Sequence, residues 1–231
     1  MVAKTATKKK TEDSKTVSPF ERIDPFPLQV IRKDWDDVDT LNDKIREKIW
    51  RMRALDPDGL YRSNTAGTWH SQDNMITALG DEGVTLRDMF AQTMLQWGSC
   101  LGLQPGLDVR LTQAAWGMVY SDGGYATVHT HPNCHVSAVY YVDDTTTSQE
   151  KIMATGVKLR SGDIEFIHPH PHGMSCKVAQ LSPMFVQSFK RGRMLAFPSH
   201  LAHFVHPIVG AGERISIACN GNFFPVEKAK T

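Results

Sequence analysis

Beyond Val109 the chain becomes a succession of short apolar and β-branched runs, each closed by a turn, and this pattern leaves few folds open. The candidate strands are Val109 to Tyr120, Thr127 to His131, Val136 to Val142, Asp163 to Ile167, Phe185 to Phe189, Arg193 to Phe197, Phe204 to Pro207 and Arg214 to Asn220. Gly123-Gly124, Asp143-Asp144, Ser161-Gly162, Arg191-Gly192 and Gly210-Ala211-Gly212 punctuate them. Short strands in this number predict antiparallel sheets closing into a barrel or jelly roll. A barrel of this kind has a mouth where strand-borne side chains converge on a small molecule.

Two helices should pack outside it. Leu41, Ile45, Ile49 and Met52 have helical spacing within Asp39 to Arg53, and Asp56-Pro57-Asp58-Gly59 ends that helix. Leu86, Met89, Phe90, Thr93 and Trp97 form a second apolar face ending near Gly98. Thr85 and Asp88 resemble a capping box, with Asp in place of Glu or Gln. The expected architecture is mainly β with flanking helices: a single domain over 19–231, helical over 19–105 and barrel over 106–224. Pro19 to Val30 is an extended lead-in, and Ser63 to Ser71 is polar and irregular. Residues 1–18 are a basic tail with almost nothing to bury, expected to be disordered.

Composition narrows the partners. A net charge of +1 argues against a general nucleic-acid binder. No apolar run approaches the ~20 residues that span a bilayer, so no membrane partner is expected. Cys100, Cys134, Cys176 and Cys219 are scattered without a Cys-x-x-Cys, which suits reduced thiols in the cytoplasm. A homodimer is compatible with all of this.

The chemistry lies in a few side chains. His129 and His131 are one residue apart near a strand end, so their imidazoles share a face. Pro132 follows and ends regular pairing. Gly192 to His203 is a glycine turn, an apolar strand, a proline bend and then histidines, and His203 is the candidate third ligand; His200 and His206 are its nearby competitors. Three such imidazoles can hold one metal. Read alone, each histidine could equally be hydrogen-bonded in a core or at a surface. In Arg214 to Asn220, alternation puts Arg214, Ser216, Ala218 and Asn220 on one face and Ile215, Ile217 and Cys219 on the other. An arginine turned into a small barrel needs an anion. A bound carboxylate would serve, with Ser216 assisting, and so would Glu165 or Asp163. Trp69, His70, Tyr140 and Asn220 are candidates for the mouth, with Tyr140 and Tyr141 on opposite sides of their strand. His168-Pro169-His170-Pro171-His172 is a stiff loop near the mouth or a second metal-binding tract.

Together these residues resemble a known family. His-x-His, a distal His and then Arg-x-Ser resemble the double-stranded β-helix of Fe(II)- and 2-oxoglutarate-dependent oxygenases, in the prolyl-hydroxylase-like superfamily. The local text is similar to a bacterial and phage group of these enzymes. Ser63-Asn64, Gly67, Trp69-His70-Ser71, His129-x-His131-Pro132-Asn133, Ser137-x-Val139-Tyr140-Tyr141, Phe197-Pro198-Ser199 and Glu213-Arg214-Ile215-Ser216-Ile217 with Asn220 carry the likeness. It implies iron on His129, His131 and His203, and 2-oxoglutarate on Arg214 and Ser216. It implies an O2-dependent hydroxylase that converts 2-oxoglutarate to succinate and CO2, with the iron centre as catalyst and no separate acid or base. The substrate, a small molecule or peptide, is not identified.

One departure stands out. The superfamily usually pairs two histidines with a carboxylate, and here His131 occupies the carboxylate position. Glu165 is a candidate to supply it from elsewhere. A cupin using His129, His131, His135 and His203, without 2-oxoglutarate, is the rival enzyme or sensor, and a binding module without chemistry is the third reading. Neutral imidazole ligands predict that metal affinity falls below about pH 6.5.

Overall fold

The computed structural model describes residues 28–63, 65–103, 108–144, 160–169 and 184–226. The basic tail, Cys176, His170 and His172 lie outside these residues, so the expectations placed on them are not addressed by the fold. Along the chain the elements are β1 (Ile31–Asp34), α1 (Asp39–Leu55), β2 (Thr68–His70), α2 (Met75–Ala78), α3 (Asp81–Cys100), β3 (Val109–Tyr120), β4 (Ala126–His129), β5 (Val136–Asp144), β6 (Ile164–Ile167), β7 (Met184–Gln187), β8 (Arg193–Pro198), β9 (His203–Val205) and β10 (Arg214–Pro225).

The strands form two antiparallel sheets. The larger has the order β1-β8-β5-β10-β3-β2 and the smaller β4-β9-β6-β7. From β3 onward the chain steps between them: β3 lies in the larger sheet, β4 in the smaller, β5 in the larger, β6 and β7 in the smaller, β8 in the larger, β9 in the smaller and β10 in the larger. This winding is the double-stranded β-helix, with helices on one outer face.

β10 is the spine. It pairs with β3 from Arg214↔Tyr120 to Pro225↔Val109 and with β5 on its other side, where a bulge falls between Ile215 and Ser216. Period-two alternation then sorts the residues of the large sheet. Ile215, Ile217, Cys219, Val119, Val136, Tyr140, Met194 and Ala196 face the helices and pack with Ile45, Ile49, Leu86, Phe90 and Met94. Each large apolar side chain buried there contributes roughly 1.5–3 kcal/mol. The opposite face turns toward the small sheet. There Val139, Tyr141, Leu195 and Phe197 meet Ile164 and Phe166, and Trp116, Met118 and Tyr120 meet Ala126 and Val205.

Several local expectations need correction. The second helix begins at Asp81, not at a Thr85–Asp88 capping box. Gly80 precedes it at φ +63°, and Asp81 and Glu82 supply the acidic first turn that the helix dipole favours. Thr85 lies inside the helix and donates its hydroxyl to the Asp81 carbonyl. A short strand directly follows the lead-in, and the irregular stretch holds another. β1 is an edge strand on β8, fixed by Arg193 donating to both carboxylate oxygens of Asp34 at 2.8 and 2.9 Å. β2 is an edge strand on the end of β3.

Two expected mouth residues prove to be core. Tyr140 is fully buried on the helix side, where its hydroxyl donates to Asn42 Oδ1 at 2.7 Å. Trp69 is buried in the same core and donates its Nε1 proton to the Asp56 carbonyl. In both cases the neighbouring residue, Tyr141 or His70, faces the other way. Among the described residues, no helix is long and apolar enough to cross a membrane.

Tyr140→Phe should therefore be a stability variant. It strands the buried Asn42 carbonyl, whose amide nitrogen already lacks a partner. A loss of about 1–3 kcal/mol is expected in urea unfolding, with metal binding unchanged.

Candidate active site

Between the two sheets lies a cavity of about 460 Å³. One side of it carries three histidines. His129 ends β4 and stands in register with His203 at the start of β9. His131 lies two residues past His129, where its backbone N–H donates to the Ser199 carbonyl. The ligand atoms of the three imidazoles all fall within 4.8 Å of one another. Two nitrogens bound side by side to one metal at ~2.0–2.2 Å stand about 3 Å apart. His131 Nε2 and His203 Nε2 are separated by 3.3 Å.

Backbone carbonyls aim the rings. His129 Nδ1 lies 2.7 Å from the Thr127 carbonyl, and His203 Nδ1 lies 2.8 Å from the Leu201 carbonyl. An Nδ1–H donated to each carbonyl leaves Nε2 as the lone-pair nitrogen, the tautomer that metal ligation needs. These imidazoles also resist protonation. Burial lowers all three pKa values, and mutual proximity adds to it for His131 and His203. His131 falls to about 4 and His203 to about 3. A buried, neutral three-imidazole set fits a borderline metal such as Fe, Zn, Ni or Cu.

The floor is built around Arg214, which is 1% exposed. Its guanidinium lies over the rings of Tyr120, Tyr141 and Phe189 at 4.7, 4.9 and 5.6 Å. Gly162 makes this packing feasible. It sits at φ +72°, and a Cβ there would come 2.8 Å from Phe189 and 3.2 Å from the Arg214 stem. Arg214 Nε and Nη1 and the Tyr141 hydroxyl are buried without a hydrogen-bond partner. Unmet guanidinium donors at one end of the cavity, beside a buried tyrosine hydroxyl, fit a carboxylate. Ser216 lies next along the same face of β10 and also lines the cavity.

The alternative partner Glu165 is engaged elsewhere. Glu165 is paired with His206 and does not join the histidine cluster, so among the described residues no carboxylate completes it. None forms an ion pair with Arg214 either. His135, required for a four-histidine cupin site, instead stacks on Phe223 and accepts its backbone N–H. His200 is exposed.

The walls and mouth are aromatic and polar. His70 is buried, with Nδ1 2.6 Å from the Ser71 carbonyl, and stacks parallel on Trp116 at 5.7 Å. Trp116 in turn lies 5.6 Å from His131. Asn220 lines the cavity and accepts the Ser137 hydroxyl on Oδ1. Trp116, Tyr120 and Arg62 were not singled out in the sequence. The parity of β3 against β10, with Tyr120, Met118 and Trp116 opposite Arg214, Ser216 and Ala218, would have found the first two.

Residues 114–220, from β3 to β10, match the family model described as "Putative 2OG-Fe(II) oxygenase". This match encloses all three histidines and Arg214. Residues 114–220 are thus similar to the 2-oxoglutarate–Fe(II) oxygenase family. The oxygenase fold is shared with several solved structures. A Trichoplax adhaerens prolyl hydroxylase, in complex with a hypoxia inducible factor oxygen degradation domain peptide fragment, aligns at TM-score 0.56 and 11% identity, covering 85% of this chain and 83% of its own. HygX from Streptomyces hygroscopicus, with nickel and 2-oxoglutarate bound, aligns at TM-score 0.54 and 12% identity over 86% and 84%. A Pseudomonas putida prolyl-4-hydroxylase aligns at 0.50 and 16% over 84% and 92%. Identities this low speak for the fold of the oxygenase domain and leave its substrate open. No curated protein matches the chain in sequence.

The lowered imidazole pKa values shift the expected pH response. Folded His131 and His203 refuse protons that the unfolded chain accepts below about pH 6.5. The metal-free protein should therefore lose thermal stability from pH 7 to pH 5. Metal affinity, governed by the folded values, should persist to about pH 5 rather than fall near 6.5. Equilibrium dialysis against Co(II) and a melting series over this range check both.

Proposed function

We propose that this chain is an Fe(II)- and 2-oxoglutarate-dependent hydroxylase whose iron is held by His129, His131 and His203. The observation that carries this reading is the pairing of the imidazole cluster with a buried, unpartnered arginine in one cavity. A cupin acting without a keto-acid has no use for such an arginine. When bound, the iron with 2-oxoglutarate and O2 supplies the oxidising power: the keto-acid becomes succinate and CO2, and a substrate C–H becomes C–OH.

The chain's own residues bind, orient and exclude water. Arg214 receives the distal carboxylate of 2-oxoglutarate by charge-assisted hydrogen bonds, with the Tyr141 hydroxyl and Ser216 as further donors. The rings of Tyr120, Tyr141 and Phe189 keep water from this pair, which strengthens it. That orientation directs the keto-acid end toward the histidines. The Thr127 and Leu201 carbonyls hold the imidazoles in the ligating tautomer. Trp116 and His70 form the wall beside them, where substrate can lie.

Anaerobic titration with Fe(II) and then 2-oxoglutarate tests the assignment. A weak visible charge-transfer band should appear only with both, and admission of air should yield succinate. His203→Ala should abolish the band by removing the metal. Arg214→Ala should retain metal and weaken 2-oxoglutarate about 30-fold or more, as expected for breaking a buried charge pair worth about 2–5 kcal/mol. Tyr141→Phe should weaken it about fivefold. An Arg214→Ala protein with unaltered 2-oxoglutarate affinity would refute the anchor. A protein that binds iron yet ignores 2-oxoglutarate would refute the function.

A further inference from the structure

The charge lining the cavity is one-sided. Among the described residues that line it are two arginines and four histidines, and neither an aspartate nor a glutamate. On the reading given above, the bound iron and Arg214 together carry three positive charges and 2-oxoglutarate returns two negative ones. One positive charge remains, and a carboxylate in place of His131 would have cancelled it. Arg62 then adds a second cation to the same cavity, distinct from the floor.

Arg62 is held where it can meet substrate. The next residue, Ser63, accepts on its carbonyl both the backbone N–H and the hydroxyl of Thr127, two residues before His129. The Arg62 guanidinium pairs with Asp73 at 2.7 Å, and both side chains are nearly half exposed. Asp73 lines a different cleft, with Ile76, Thr77 and Arg87. A solvent-exposed ion pair of this kind contributes little, so the Asp73 pair is a weak competitor for an incoming anion. His70 and the ring of Trp116, which stack on each other and lead to His131, line the same cavity as Arg62 and offer a flat surface for an apolar or planar body.

We propose that the primary substrate is a carboxylate-bearing molecule, its carboxylate received by Arg62 and its body laid on Trp116. The surplus-charge part of this inference rests on the iron and 2-oxoglutarate reading. The placement of Arg62 and the lack of acidic lining residues do not.

The test uses matched probes: the N-acetyl amino acids and their carboxamides, titrated calorimetrically under nitrogen into the full chain loaded with Fe(II) and 2-oxoglutarate. At least one acid should bind ten times more tightly than its amide. Arg62→Gln should erase that preference, and Arg62→Lys should keep most of it. Amides binding as well as acids, no acid binding at all, or a preference that survives in Arg62→Gln would each overturn the proposal. The 2-oxoglutarate titration is read separately. Acid preference through Arg62 in a protein that ignores 2-oxoglutarate would sustain the substrate class and sink the proposed reaction. A 2-oxoglutarate response without acid preference would do the reverse.

Discussion

A guanidinium buried at the base of β10 sets the terms for the rest of the site. Removing an arginine from water costs several kcal/mol unless its charge and donors are met. The fold meets the charge in part, by surrounding Arg214 with the faces of Tyr120, Tyr141 and Phe189. It does not meet the Nε and Nη1 donors. The position is nonetheless secured from the other direction. Glu213, one residue earlier, accepts from Arg53 and Trp50 of α1 and from Ser121, which follows Tyr120. Helix α1 and the end of β3 are thereby fastened to the strand that presents the cation. Stability invested on the helix side keeps an otherwise unfavourable group aimed into the cavity.

The histidine cluster follows a related logic. Three imidazoles within 4.8 Å repel one another once protonated, and burial penalises each charge further. The neutral, ligating form is thus enforced before any metal arrives, and the Thr127 and Leu201 carbonyls choose the nitrogen that is offered. Among the described residues no carboxylate joins the cluster, and this changes the electrostatic balance more than the geometry. A protein set of neutral donors leaves neutralisation to small-molecule anions, which makes the affinities for metal and for keto-acid interdependent.

Much of this was legible in the sequence because β structure writes itself with period two. The alternation Arg214, Ser216, Ala218, Asn220 against Ile215, Ile217, Cys219 was readable and matches the two environments found. What alternation cannot supply is the absolute face. It separated Tyr140 from Tyr141 and Trp69 from His70, but only register against Arg214 shows which member looks inward: Tyr141 is buried with the inner cluster while Tyr140 bonds to α1. β1 and β2 escaped notice for another reason. Four residues of Ile-Arg-Lys-Asp and three of Thr-Trp-His carry no usable pattern, and they become strands only because β8 and β3 offer free edges. At the start of α3, the Thr85–Asp88 signal was real chemistry in the wrong place. Gly80 at positive φ turns the chain one helical turn earlier, and Asp81 and Glu82 occupy the first turn.

The division between the faces of the large sheet also explains how the mouth can vary while the chemistry is kept. Helix-facing residues of β3, β5, β8 and β10 form the largest core and need no contact with ligand. Inner residues near Arg214 are locked by aromatic packing. The segment carrying Tyr61, Arg62 and Ser63 is attached differently, through hydrogen bonds to Thr127 and through Thr65 to Tyr125. These bonds run mainly to backbone atoms, so side chains on this segment are not fixed by them. Yet they land on β4 and the turn before it, within a few residues of His129. A rim held by its backbone to the strand that carries His129 can change its side chains without moving the histidines. Selectivity in this fold therefore sits most naturally on residues such as Arg62, which line the histidine cavity but lie outside both the core and the Arg214 floor.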